Sequence, residues 1–198
     1  MASAALIVGL SILAYFMSFS SSYSQQVELY NLINYEAVNQ VVRLVAYDDV
    51  SNVVWLLLRR LDSTPRNFFI LIRAGDVFLD CGKVYVYNET RDSNGILCDE
   101  SGDCSISCVY GPRSVRAGDV IVSTKDGFIP LPDYLRTTIS GSISLIRIPY
   151  SVSGRSQNII LKVDLGSESE ELESLEVFLC LDYGGRFYVV RIYEVGLR

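Results

Sequence analysis

Few side chains in this 198-residue sequence can do covalent or metal chemistry, and they are unevenly placed. The five cysteines are Cys81, Cys98, Cys104, Cys108 and Cys180, and three of them fall in the eleven residues from Cys98 to Cys108. Thiols clustered in a polar stretch have little apolar packing to hold them, so the spacing predicts disulfide staples formed in an oxidising, extracellular compartment. Cys98 with Cys104 or Cys108 would close a small loop, and Cys81 or Cys180 could take the remaining thiol. The odd count leaves at least one cysteine free or paired between subunits. Cys180, inside a predicted strand, also reads as a buried free thiol. Four thiolates can hold zinc, but no CxxC pair is present. The sequence contains no histidine, which removes the commonest general base and metal ligand and with them most Ser-His, Cys-His and zinc-hydrolase schemes. No catalytic residue, metal ligand or cofactor is expected, and the chain reads as a non-enzyme.

Two further features bear on compartment and partners. Asn88-Glu89-Thr90 is the one N-x-S/T tripeptide, and it makes Asn88 a candidate glycosylation site in an exported protein. Glu168, Glu170, Glu171, Glu173 and Glu176 crowd the segment Gly166–Glu176; a calcium site is conceivable there, but a solvated surface segment is the simpler reading. Asp99–Asp103 has a faint calcium-loop look without the spacing or the closing Glu. With 17 Lys plus Arg against 23 Asp plus Glu, a net charge of -6 and no basic cluster, the chain lacks the cationic footprint that neutralises phosphates. Nucleic acid is not an expected partner.

The elements that must position these residues are short and β-rich. From residue 40 onward, runs of β-branched and aromatic residues alternate with turn residues. Strands are predicted at Val41–Tyr47, Val53–Arg60, Phe68–Arg73, Val77–Asp80, Lys83–Tyr87, Asp119–Ser123, Ser142–Pro149, Asn158–Val163, Leu175–Leu181 and Arg186–Val195. Tyr183-Gly184-Gly185-Arg186 is the strongest hairpin signal, since two glycines allow positive φ at both turn positions. Arg73-Ala74-Gly75-Asp76-Val77 recurs as Arg116-Ala117-Gly118-Asp119-Val120, which reads as one turn chemistry used twice. Ten strands suit two antiparallel sheets packed face to face, so residues 40–198 are expected to form an all-β, Ig-like sandwich.

Residues 1–39 are different in kind. No charged side chain precedes Glu28, and Ala2–Phe19 is interrupted only by Ser3, Gly9, Ser11 and Ser18. About 20 such residues span the roughly 30 Å hydrocarbon core of a bilayer as a helix. Neither Pro nor Gly interrupts Ser20–Gln26, and Tyr30, Ile33, Ala37, Val41 and Leu44 recur at helical spacing, but Val41–Tyr47 suits a strand equally by its β-branched content, so the helix is predicted to end near Asn39. A secretory signal peptide would carry a basic n-region, yet the first Lys or Arg is Arg43. The same lack removes the basic flank that normally orients a single-span anchor. A helix apolar on every face must be buried all round, by lipid or by neighbouring helices. Its small residues, among them Ala2, Ala5 and Gly9, permit close helix approach.

A charge-free helix over Ala2–Phe19, an amphipathic extension over Val27–Val38 and a β-rich head with no linker together resemble the archaeal type IV pilin and archaellin superfamily. Where bacterial pilins carry a Glu at the fifth mature residue, this chain has Ala5, so the comparison is to the archaeal branch. The resemblance implies a homopolymeric extracellular filament whose core is built from N-terminal helices. Ala2, Ala5, Leu6, Gly9, Leu10, Leu13 and Phe16 would face neighbouring copies. It also implies that a peptidase removes a short basic leader before Met1, although an initiator Met1 is the other reading. Transient membrane insertion and a pilus assembly machinery are implied as well. The expected role is pilus-like or archaellum-like, with adhesion or motility left open. The alternative expectation is a membrane-anchored cell-surface sandwich that binds a partner or acts as a stator-like scaffold.

Overall fold

A computed structural model describes residues 2–62, 64, 68–87, 113–139, 141–148, 157–166 and 172–197. The chain divides into two compact units, Met1–Glu36 and Ala37–Arg198. Helix α1 spans Ala2–Asn39. The strands follow as β1 Gln40–Asp48, β2 Val53–Arg60, β3 Phe68–Ala74, β4 Val77–Phe78, β5 Val84–Tyr87, β6 Arg113–Arg116, β7 Val120–Thr124 and β8 Gly127–Pro130. A short helix α2, Leu131–Leu135, precedes β9 Ser142–Ile148, β10 Gln157–Asp164, β11 Ser174–Tyr183 and β12 Arg186–Gly196.

The strands of the second unit form a four-stranded sheet in the order β1-β2-β10-β5 and an eight-stranded sheet in the order β6-β9-β3-β11-β12-β7-β8, with β4 paired to β3. Alternate residues explain how they stack. Val54, Leu56 and Leu58 of β2 and Leu161 and Val163 of β10 are buried, as are Phe68, Ile70 and Ile72 of β3. The guanidinium of Arg60, on that same face of β2, lies 5.2 Å from the Phe68 ring centroid. The inner face of the smaller sheet therefore meets the Phe68 face of the larger one, a sandwich-like head. The buried Arg60 guanidinium is paired with the Asp62 carboxylate, as a charge out of water requires.

The opposite face of β3 and β11 is buried too. Phe69, Leu71, Phe178, Cys180, Phe187 and Val189 form a second core with Val120, Val122, Ile143 and Leu145, closed by Leu131 of α2. Central strands covered on both faces lose polar alternation. That is why Phe68–Arg73 and Leu175–Leu181 read as nearly continuous apolar runs.

The head departs from the expected antiparallel arrangement at one pairing. Strand β7 lies parallel to β12, with Phe187 opposite Val120 and Val189 opposite Val122, so the larger sheet is mixed. Strands β6 and β8 are also additional to the ten anticipated. Each has four residues and lies at a sheet end, too short for period-two patterning to show. The repeated RAGDV motif serves two different turns. Gly75 adopts φ +59° in the β3–β4 hairpin, whereas Ala117–Asp119 forms a 3-10 turn that carries the chain from β6 to β7. The Gly184–Gly185 hairpin forms as the residues require, with φ +62° and +82° and Tyr183 paired to Arg186.

Helix α1 passes into β1 without a capping glycine, although the last carbonyls of a helix need partners. The head supplies them. Arg191 donates to the Ala37 carbonyl at 3.0 Å, Leu61 N–H to the Asn39 carbonyl at 2.9 Å, and the Tyr193 hydroxyl to the Gln40 carbonyl. Burial pushes the Tyr193 phenol above its usual value, with Arg191 acting in the opposite direction. The hydrogen bond therefore holds below the ordinary tyrosine pKa of about 10 and is lost as pH rises through the raised value. Tyr193→Phe should destabilise the head by about 1 kcal/mol and flatten the alkaline limb of its stability profile, as read by denaturant titration at pH 7 and pH 10.5.

Candidate functional site: the exposed apolar helix

The N-terminal half of α1 presents its apolar side chains outward, whereas Leu29 and Ile33 further along are buried. Ile7, Val8, Leu10, Ile12, Leu13, Tyr15, Phe16, Met17 and Phe19 are each at least half exposed. Successive helical residues are turned by about 100°, so this set covers every face of α1 rather than one stripe. A surface helix of a globular domain keeps such residues on one side. Helix propensity favours this geometry locally: Ala4, Ala5, Leu6, Leu10, Leu13 and Met17 are strong formers, and no proline interrupts them. One polar interruption is accommodated inside the helix, where the Ser11 hydroxyl donates to the Ile7 carbonyl at 2.9 Å. That bond leaves no hydroxyl proton seeking water, which a dry environment demands.

Among the described residues, Ile7–Asn39 is long and apolar enough to cross a membrane. Gly9 has open space where a Cβ would stand, so nothing within the chain requires a glycine there. With Ile12, Leu13, Phe16 and Met17 it borders a shallow groove along one side of the helix. A ridge from another helix fits such a groove at an interaxial distance of about 8–10 Å.

The candidate core residues fall as follows. Gly9, Leu10, Leu13 and Phe16 lie on α1 and are exposed. Ala2, Ala5 and Leu6 also lie on α1, and their side chains are outside the described residues. Cys81 begins a 3-10 turn before β5 and is disulfide-bonded, while Cys98, Cys104 and Cys108 lie outside the described residues, as does Asn88. Cys180 corrects the wider cysteine expectation: it is a free thiol in the second core, fully buried between β3 and β12. Its burial pushes the thiol far above the ordinary range. Because only the thiolate attacks, Cys180 should resist alkylation in the native chain and react fully in denaturant, as read by mass spectrometry.

The acidic segment is described only in part. Glu176 is engaged with Arg73 at 2.7 Å, and Glu168, Glu170 and Glu171 lie outside the described residues. Among the described residues, no group of three or more Cys, Asp or Glu side chains is placed to hold a metal ion. Comparison with protein-family models, curated proteins and solved structures returns no match to this chain.

Proposed function

We propose that the chain is the structural subunit of an extracellular helical filament, pilus-like or archaellum-like, whose core is built from copies of α1 and whose outer shell is the β-sandwich. The observation that carries this reading is the stretch Ile7–Phe19 of α1, more than half exposed at apolar positions on all its faces, on a chain whose head has its own double core. Water does not tolerate such a surface: exposed apolar area costs about 25 cal/mol per Å². A bilayer covers it before assembly, and neighbouring helices cover it afterwards. Because lipid is as apolar as Leu, the preference for protein neighbours must come from close packing. Gly9, Ser11 and Ala14 are the side chains that permit it. The disulfide at Cys81 suits assembly outside the cell.

The competing reading keeps the helix in the membrane and makes the head a solitary surface module. Electron microscopy of material sheared from cells that produce the chain, with mass spectrometry of its constituents, separates the two. Filaments in which this chain is the major protein are expected. Recovery only as single copies in the membrane fraction would favour the anchored module.

A further inference from the structure

The outer face of the four-stranded sheet carries side chains that the helix-packing reading leaves unused. Strand register places Ala46, Trp55, Lys162 and Tyr85 in one row across β1, β2, β10 and β5. Arg43, Leu57 and Ile160 form the next row, and Arg59 stands in the third between Val41 and Asn158. The Lys162 ammonium lies 5.8 Å from the Trp55 ring centroid and 5.8 Å from that of Tyr85. Trp55, Leu57, Tyr85 and Ile160 all remain partly exposed, and Arg43 and Arg59 are exposed.

This is an unusual composition for the solvated side of a sheet, where alternation normally brings polar residues outward. Trp, Tyr and Arg are instead the residues enriched in protein interfaces and in their hot spots. Cations predominate on these three rows; the fourth, Asp48–Val53–Asp164, adds two carboxylates, which accept hydrogen bonds from the turn N–H groups of Val50, Ser51 and Gly166. Among the described residues, Arg43, Arg59 and Lys162 form no ion pair with a carboxylate. The chain's net charge is -6 with these three cations counted, so the rest of its surface is more acidic still.

We propose that this face docks against the acidic surface of a neighbouring copy's head in the assembled filament. The inference rests on the filament reading, in which crowding makes some head-to-head contact necessary. Helices packed side by side stand about 8–10 Å apart, whereas a folded unit as long as Ala37–Arg198 has a radius of gyration of roughly 15 Å. Heads carried on such helices must meet one another. The sheet bearing this face begins with β1, which follows directly on α1. Charge complementarity sets which surfaces meet.

Trp55 is the single tryptophan of the chain, so its fluorescence reports this contact without a label. The full chain is solubilised in a non-ionic detergent and then assembled by diluting the detergent. Acrylamide quenching and emission maximum are followed before and after, at low and high salt. The expected result is a blue shift and reduced quenching of Trp55 on assembly, reversed by salt and lost in R43E/R59E/K162E. Far-UV circular dichroism checks that this variant folds. If it does not, Arg43→Glu alone, at an exposed position, should weaken the protection.

Assembly with Trp55 as accessible as before would overturn the docking face and leave the filament reading standing. Protection that appears only when heparin or a single-stranded oligonucleotide is added would assign the face to a polyanion and overturn the proposal. A wild-type chain that never assembles, while Trp55 stays accessible, would remove both readings.

Discussion

Leu10→Glu should abolish filament formation while leaving the head folded. Leu10 lies in the middle of the apolar run from Ile7 to Phe19 and is 60% exposed on the free helix. Any environment that buries α1 must therefore bury this side chain. A charge at the centre of a membrane helix costs roughly 2.5–3.5 kcal/mol on insertion scales, where Leu is mildly favourable. The expected penalty is more than a hundredfold in membrane entry. It would recur in the proposed filament core, where every copy would bring the same unpaired carboxylate into contact with its neighbours. The head should not respond, because Leu10 belongs to a separate compact unit. Membrane fractionation and negative-stain microscopy read the first effect, and near-UV circular dichroism reads the second. Filaments of normal number and length from Leu10→Glu would be incompatible with α1 as the core.

Phe178→Ala should produce the complementary failure. Phe178 is fully buried in β11, packs in the second core, and has the Phe78 ring 6.0 Å from its own. Removing a buried Phe side chain costs about 3–5 kcal/mol, a large share of the roughly 5–15 kcal/mol that holds an average domain together. The head should lose its protease resistance and its cooperative melt near room temperature, while the chain still partitions into membranes through α1. Limited proteolysis of membrane-bound protein would show this as a protected helical fragment with a digested head. A wild-type melting curve would contradict the placement of Phe178 at the centre of the eight-stranded sheet.

The two substitutions act on different elements, and the extent of the first was legible in the sequence. Absence of charge before Glu28 and continuous helical residues to Asn39 mark out α1, because burial of an all-apolar surface leaves a compositional signature. The hairpin at Gly184–Gly185 was equally plain, since the backbone there demands two positive φ angles. What the sequence obscured has physical causes. The alternation of β12 breaks at Val189-Val190 because Leu179 pairs with Arg191 while Cys180 pairs with Val189, leaving Val190 as a bulge that shifts the phase. A similar slip at Val45 in β1 hides its pairing with β2. The parallel contact between β7 and β12 has no local signal at all, since it depends on where a crossover places a strand.

The candidate site was less evenly legible. Gly9, Leu10, Leu13 and Phe16 follow directly from the apolar run. The Trp55–Lys162–Tyr85 row sets Lys162 beside residues more than 70 positions away from it and becomes visible only once β2, β10 and β5 are in register. A lysine breaking the apolar run of β10 was the one sequence signal for it. Cys180 shows the opposite case: its place inside a predicted strand already gave the buried free thiol as one of its two readings.

The central claim is that α1 is surrounded by other copies of itself, and a photo-crosslinking amino acid in place of Phe16 tests it most directly. Phe16 is 65% exposed and borders the Gly9 groove, so a benzophenone at this position reacts with whatever covers the helix. Irradiation of cells that display the protein should yield dimers joined through residues of a second α1, identified by mass spectrometry of the crosslinked peptides. Adducts to lipid alone, with no chain-to-chain product, would contradict the filament core and leave α1 as a membrane anchor.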